Sequence, residues 1–319
     1  MRYIETLREG ERIQEVYLCK QKTGAMTKTG KEYENVILQD KTGQLDAKIW
    51  DPGSMGIDDF GSLDYVEVHG DVTLFNGQTQ LSIKRARKVS KDSVDEADYL
   101  PCTDKNMDEM MTELLKFIAG VNNPFYKQVL SRLFIDDEKF AEAFKKHSAA
   151  KSVHHGFIGG LLEHTLSVTK LCDFYTRQYP ILNRDLLITA AICHDIGKVY
   201  ELSDFPENDY TDAGQLLGHI VMGSEMISKI ITTIPDFPVK QANELKHCIL
   251  AHHGELEYGS PKKPALIEAL ALNFADNTDA KMETMKEIFD SNSMAGTDQW
   301  LGYNKLFESN VRKTTVEDF

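Results

Sequence analysis

The chain has 319 residues, 41% of them hydrophobic, which is long for a single core and sufficient for two. No apolar run approaches the ~20 residues that cross a bilayer, and Met1-Arg-Tyr-Ile-Glu-Thr-Leu-Arg-Glu lacks the apolar centre of a signal peptide, so no membrane partner and a cytoplasmic location are expected. The net charge of −14 opposes a nucleic-acid partner only weakly, because residues 1–91 carry 14 basic and 14 acidic side chains while residues 92–319 carry 22 and 36.

Period-two patterns and short apolar runs predict strands at 13–19, 33–38, 45–50, 65–68, 72–75 and 80–86. Asp40-Lys-Thr-Gly43 and Asn76-Gly77 carry hairpin-turn chemistry. Five or so strands in about 80 residues, with a Gly/Pro/Ser-rich excursion at 51–61, suggest a small all-β barrel of the OB type over residues 1–91. Such barrels hold single strands in a basic groove with aromatic stacking platforms. The candidate contacts are Lys28, Lys31, Tyr33, Lys48, Trp50, Phe75 and the cluster Lys84, Arg85, Arg87 and Lys88. Taken singly, each aromatic could fill the barrel and each lysine merely solvate it; the domain as a whole reads as a binder of nucleic acid.

Residues 92–104 are acidic, contain Pro101 and read as a linker. From 105 to 319 an all-α bundle is expected, its functional core at 150–280. The spacing of apolar residues predicts helices at 107–119, 125–134 and 138–146, where the methionine stripe reads as core. His164 follows Gly159-Gly160 on a helical pattern. The apolar run 186–193 ends in His194-Asp195, with Gly197 permitting the helix to stop and Lys198 three residues beyond Asp195. Residues 200–214 read as a loop rimming a site. His219 lies on a predicted helix at 216–231, His252-His253 end another at 240–252, and Glu268, Leu272 and Asp276 stack along a third at 264–279. Beyond Met282 there is no motif. The five cysteines are scattered and contain no Cys-x-x-Cys pair, which fits buried thiols better than disulfides or a zinc knuckle.

Nine of the ten histidines lie between His147 and His253. A lone His-Asp pair means little, but the order His164, His194-Asp195, His219, His252-His253, Asp276 resembles the HD superfamily of metal-dependent phosphohydrolases. Imidazoles and carboxylates without thiolates suit Mn, Mg, Fe, Co or Zn and do not choose between them. His164, His194, Asp195 and Asp276 can surround one ion, with Asp195 bridging to a second held by His219 and His252 or His253. Two such ions can hold a hydroxide that attacks phosphorus and clamp the phosphoryl oxygens; Asp195 and Lys198 are the candidate catalytic residues, the lysine neutralising charge on an oxygen. Lys151, His154 and His155 precede the first ligand helix and are candidates for a substrate channel, against a capping or packing role. His69 reads as structural, and His247 as a packing residue or a support behind the ligands.

A closer resemblance, over nearly the whole chain, is to the YhaM family of bacterial 3′-5′ exoribonucleases, which join an OB domain to an HD domain. It rests on residues 33–51 (YENVILQDKTGQLDAKIWD), on His154-His-Gly-Phe-Ile-Gly-Gly-Leu-Leu-Glu-His164-Thr-Leu, on His194-Asp-Ile-Gly-Lys198 and on Ala251-His-His-Gly-Glu-Leu-Glu-Tyr-Gly-Ser-Pro261. The resemblance implies metal-dependent removal of nucleotides from the 3′ end of single-stranded RNA, with manganese the usual activator and single-stranded DNA a second candidate substrate. Other HD activities, a nucleotidase or a cyclic-nucleotide phosphodiesterase, leave the barrel without a purpose. A non-catalytic nucleic-acid-binding protein leaves the ligand set without one. Assembly into a homo-oligomer is compatible with the sequence.

Overall fold

The computed structural model describes residues 1–151, 155–291 and 299–315. They form two compact units, Met1–Cys102 with Asp204–Asn208, and Thr103–Ser203 with Asp209–Phe319.

In the first unit β1 (Arg12–Met26), β2 (Glu32–Asp40), β3 (Gly43–Ile49), β4 (Tyr65–Phe75) and β5 (Gln78–Val89) close into a barrel in the order β1-β2-β3-β5-β4. Only β3 and β5 pair in parallel, and the topology is that of an OB barrel. Strand alternation sends Tyr17, Cys19, Val36, Leu38, Ala47, Ile49, Val68 and Leu81 inward to a dry core. The turns form where the sequence places them. Asp40 pairs with Gly43 across the first, and its carboxylate accepts from the Thr42 amide at 2.7 Å; Asn76 and Gly77 both take positive φ, 51° and 80°, as a two-residue primed turn requires. The two short runs expected at 65–68 and 72–75 are one strand, continuous in its pairing with β5 through a bulge at His69/Gly70.

The stretch expected to be a linker is exposed over much of its length but anchored near its middle. Tyr99 and Leu100 are buried, the Tyr99 ring lies 4.9 Å from that of Tyr65, and Asp98 accepts from the Tyr3 hydroxyl at 2.7 Å. Burial of these two side chains outweighs the acidic composition that suggested a free segment.

The second unit contains α1 (Met107–Ala119), α2 (Pro124–Phe134), α3 (Glu138–Lys146), α4 (Gly160–Gln178), α5 (Arg184–Cys193), α6 (Lys198–Glu201), α7 (Asp212–Thr232), α8 (Val239–Leu250) and α9 (Ile267–Ser291). Asn106, Asn123, Asp137 and Asn183 cap α1, α2, α3 and α5 through their side chains. Helix α5 is the centre: every residue from Leu186 to Cys193 is buried. The unit is not wholly helical, since β6 (Trp300–Asn304) and β7 (Ser309–Arg312) form an antiparallel hairpin after α9. Its short strands bury little beyond Val311, so no alternation was visible in the sequence. No helix among the described residues is long and apolar enough to cross a membrane.

Candidate metal centre and nucleic-acid cleft

The C-terminal end of α5 delivers His194 and Asp195 into the middle of the helical unit, and α4, α7, α8 and α9 aim side chains at them. His164 Nε2 lies 3.2 Å from His194 Nε2, 3.4 Å from Asp195 Oδ2 and 3.2 Å from Asp276 Oδ1. On the other side of the same carboxylate, Asp195 Oδ1 is 3.4 Å from His219 Nε2 and 3.6 Å from His252 Nε2. Asp195 therefore faces two imidazole groups with its two oxygens. His253 stands beside His219 and His252, and their ring nitrogens are close enough to share an ion. All the residues expected as ligands, His164, His194, Asp195, His219, His252, His253 and Asp276, thus come together.

In His164, His194, His219 and His252 the second ring nitrogen is anchored. His194 Nδ1 lies 2.7 Å from the Ala191 carbonyl and His252 Nδ1 2.7 Å from that of Ile249, so both Nδ1 atoms carry the proton and donate. His164 Nδ1 meets Asp279 Oδ2 at 2.7 Å, and His219 Nδ1 meets Glu201 Oε1 at 2.9 Å. With Nδ1 protonated, each ring turns an Nε2 lone pair inward, the tautomer that a metal ligand requires. Asp195 Oδ1, His219 Nε2 and His252 Nε2 are buried without a hydrogen-bond partner. Three orphaned acceptors at one point would be costly in a finished core, and a divalent cation would satisfy all of them.

The protein shapes this centre at two close approaches. Gly197 was expected to end a helix, yet it has ordinary helical angles, φ −65° and ψ −21°. What demands glycine is α7: a Cβ here would stand 2.1 Å from the His219 carbonyl oxygen. Gly218, with φ 74° and ψ 154°, kinks α7 immediately before His219, a conformation that costs other residues. The kink lets the His219 amide donate to Glu201 Oε1 at 2.9 Å.

Electrostatics follow from crowding. Burial disfavours the charged forms, but Lys198 and the neighbouring imidazoles hold the Asp195 carboxyl well below the usual range, and His164 and its neighbours do the same for Asp276. For His164, burial favours the neutral ring and is overcome by Asp195, Asp276 and Asp279, which raise its pKa. His252 goes the other way, lowered chiefly by burial. Lys198 Nζ lies 2.7 Å from Asp195 Oδ2, so the turn persists and the pair shares a face. The lysine lines a cleft of about 600 Å³ with His253, Glu255, Asp276 and Lys281.

Two residues absent from the sequence reading complete the network. Asp279 accepts from His164, lies 3.1 Å from His155 Nε2 and binds the Ser167 hydroxyl. Its signal was its position three residues after Asp276, on nearly the same helix face. Glu201, 18 residues from His219, had no local signal. Two of the three residues expected to line a substrate channel are held elsewhere. His155 is buried behind His164, pulled in by Asp279, and Lys151 pairs at the surface with Asp209 at 2.6 Å; His154 lies outside the described residues. His247 accepts from the Ala265 amide, a packing role.

On the barrel, Lys28, Tyr33, Lys48, Trp50 and Phe75 line one cleft of about 740 Å³. Tyr33 and Trp50 stack at 5.3 Å, Lys48 lies 5.3 Å from the Tyr33 ring, and the Phe75 ring is 62% exposed. Lys31 is not among the lining residues. The β5 cluster lies apart from the cleft: Lys84 pairs with Asp71, Lys88 pairs with Asp64 at 2.8 Å, Arg85 lines a separate depression with Arg12 and His69, and Arg87 stands opposite Glu67 on β4.

The HD-domain family model matches residues 161–281. The 3′-5′ exoribonuclease YhaM of Listeria innocua serovar 6a is 33% identical over 94% of this chain and 97% of its own length. That of Bacillus subtilis strain 168 is 35% identical over 86% of this chain and 87% of its own. Among solved structures, the second OB-fold domain of replication protein A from Methanococcus maripaludis is 21% identical, covering 30% of this chain and 98% of that one, with a TM-score of 0.22. With a metal-ready cluster in an HD domain, an OB barrel before it, and relatives matched along nearly their whole length, the chain belongs to the YhaM family of 3′-5′ exoribonucleases.

Proposed function

We propose that this protein is a metal-dependent exoribonuclease that removes nucleotides from the 3′ end of single-stranded RNA. The observation that carries the reading is the set of Nδ1-anchored imidazoles converging on the two oxygens of Asp195, with Asp195 Oδ1, His219 Nε2 and His252 Nε2 buried and unpartnered. His164, His194, Asp195 and Asp276 would hold one divalent ion; Asp195, His219, His252 and His253 would hold a second. We take manganese as the ion, with single-stranded DNA as a secondary substrate. When bound, a pair of divalent ions lowers the pKa of water and offsets charge on phosphoryl oxygens.

The protein's own groups divide the remaining work. Asp279 and Glu201 fix the tautomers of His164 and His219, which keeps the inward lone pairs available without reorganisation. Lys198 is 16% exposed at the floor of the cleft and places a positive charge beside the reacting phosphate. On the barrel, Tyr33, Trp50 and Phe75 offer faces on which bases of any sequence stack, and Lys28 and Lys48 face the backbone. A mononucleotide would need no such cleft, which is why the single-strand reading is preferred to a nucleotidase.

The test is 5′-end-labelled single-stranded RNA incubated with purified protein and Mn²⁺. A ladder shortening from the 3′ end, abolished by chelation and by Asp195→Ala, is expected. Internal cleavage products, or hydrolysis confined to free nucleotides, would overturn the proposal.

A further inference from the structure

The hairpin after α9 is unaccounted for by the metal centre or the barrel. Its strands pair Trp300 with Arg312 and Tyr303 with Asn310. Arg312 and Asn310 are two apart on β7 and so share one face of the ribbon; their partners Trp300 and Tyr303 must share it too. A spacing of three between the two aromatics fits because the register shifts between them, where Gly302 takes φ +98°. The result is one face bearing two large rings, 66% and 65% exposed, with the Arg312 guanidinium 5.9 Å from the Trp300 ring. Val311, between Asn310 and Arg312 and thus on the other face, is buried.

Two observations say what covers that face. Leu306, at the turn of the hairpin, lines the same cleft as His164, Asp195, Lys198 and Asp276, so the turn of the ribbon borders that cleft. Arg312 on that face supplies a cation beside the rings, and Lys305 lies at the turn of the hairpin next to Leu306. Exposed rings with a guanidinium beside one of them, at the border of the proposed phosphodiester-cleaving cleft, match single-stranded RNA, whose bases present a π-face and whose backbone is anionic.

We propose that Trp300 and Tyr303 form a stacking platform for the bases near the 3′ end of the RNA as that end enters the cleft, making them positioning residues for the reaction. The inference rests on the exoribonuclease reading above. It adds a second aromatic contact to the strand, separate from the barrel's.

The chain has two tryptophans, Trp50 and Trp300, so Trp50→Phe leaves Trp300 as the sole indole reporter. In full-length Trp50→Phe protein with Mn²⁺ present, titration with a single-stranded oligoribonucleotide whose 3′-terminal linkages are hydrolysis-resistant phosphorothioates is expected to quench Trp300 emission. In a parallel arm, Trp300→Ala/Tyr303→Ala is assayed with Mn²⁺. It should keep metal content, melting temperature and turnover of bis(p-nitrophenyl) phosphate, yet raise KM for the oligoribonucleotide by roughly ten- to a hundredfold. Trp300→Phe/Tyr303→Phe should restore it. Wild-type protein inactive on RNA would instead fail the underlying function. Active wild type with an unresponsive Trp300 and unchanged KM in the double alanine variant would overturn the platform. If that variant also sedimented as a smaller species, the face would be assigned to contacts between copies of the chain.

Discussion

Gly197→Ala tests whether the contact between the turn after α5 and helix α7 sets the metal centre. Gly197 has helical angles, so alanine meets no backbone penalty there. Its Cβ, however, would lie 2.1 Å from the His219 carbonyl oxygen and 2.8 Å from the Gly223 amide nitrogen, both backbone atoms that no rotamer change can remove. Restoring ordinary contact at 3.4 Å requires a displacement of about 1.3 Å, and what moves is the turn of α7 that carries His219. Overpacking of this kind costs ~1–3 kcal/mol, which in a unit of this size lowers the melting temperature by on the order of 5 °C. Catalysis should suffer more, since a misplacement of about 1 Å can cost ~10²-fold. His219 now sits 3.4 Å from Asp195 Oδ1 and 2.9 Å from Glu201 Oε1, and neither distance survives such a shift.

The control lies across the same contact. An alanine Cβ at Gly223 would meet the Gly197 nitrogen at 3.5 Å and an Ile196 carbon at 3.6 Å, which is ordinary packing, so Gly223→Ala should be neutral or slightly stabilising in mid-helix. Calorimetry, metal content by mass spectrometry and turnover on labelled RNA are measured for both variants. Gly197→Ala with wild-type melting temperature, metal content and turnover would refute the reasoning.

Glu201→Gln removes the carboxylate that orients His219 and should weaken metal binding by ~10–100-fold in a chelator competition while leaving the secondary structure intact by circular dichroism. Lys198→Met should keep metal content but slow single-turnover hydrolysis by on the order of 10²-fold; loss confined to RNA affinity would reduce the lysine to a positioning contact. Trp50→Ala should raise the Kd for single-stranded RNA by roughly 5–100-fold without changing hydrolysis of a small phosphodiester. In the metal-free protein, His164 has its pKa raised above 6.5 and contributes stability that is complete below 6.5 and lost as pH rises through the raised value. Asp195, Asp276 and Asp279 are lowered from 3.8 and contribute stability present above 3.8 and lost as pH falls through their lowered values. Chemical denaturation of metal-free protein should therefore find this network's contribution greatest between pH 3.8 and 6.5, and metal affinity should increase with pH as His164 gives up its proton.

What could be read from the sequence was what a repeating local pattern encodes. Strand alternation located the barrel, and the two hairpin turns were given by Asp40 to Gly43 and Asn76-Gly77. The ligands were legible because most stand on or beside helices whose apolar faces are clear: His194 and Asp195 follow the buried run of α5, and Asp276 lies on α9. Contacts between elements far apart in the chain were not legible. Glu201 acts on His219 only because Gly218 kinks α7 toward it. His155 is drawn behind His164 by Asp279 on α9, 124 residues away in the chain, so proximity to the first ligand helix misassigned it to a channel. Gly197 announced a helix end, while the actual constraint came from a backbone carbonyl 22 residues further on, at His219. Pro101 and the acids around it suggested a linker, and the packing of Tyr99 against Tyr65 was invisible without the barrel.

The charge of the chain, which first seemed to oppose RNA, is resolved at the metal centre. Four carboxylates meet there, Asp195, Asp276, Asp279 and Glu201, against one lysine, Lys198. The acids contribute −4 and Lys198 +1; His164, which keeps its proton in the metal-free protein, brings the empty cluster to −2, which would repel a phosphodiester, and it gives that proton up when an ion binds, leaving −3 from the protein groups. One divalent ion brings it only to −1, and two bring it to +1. On this count the same acids that make the helical unit repulsive are what let it take up cations, and RNA meets an attractive centre only once both proposed positions are filled. RNA binding to the full-length protein should then rise steeply with metal concentration at fixed ionic strength, and Asp195→Ala, which loses the bridging carboxylate, should flatten that dependence. A metal-independent affinity in the wild type would place all of the binding on the barrel and leave the helical cleft with the chemistry alone.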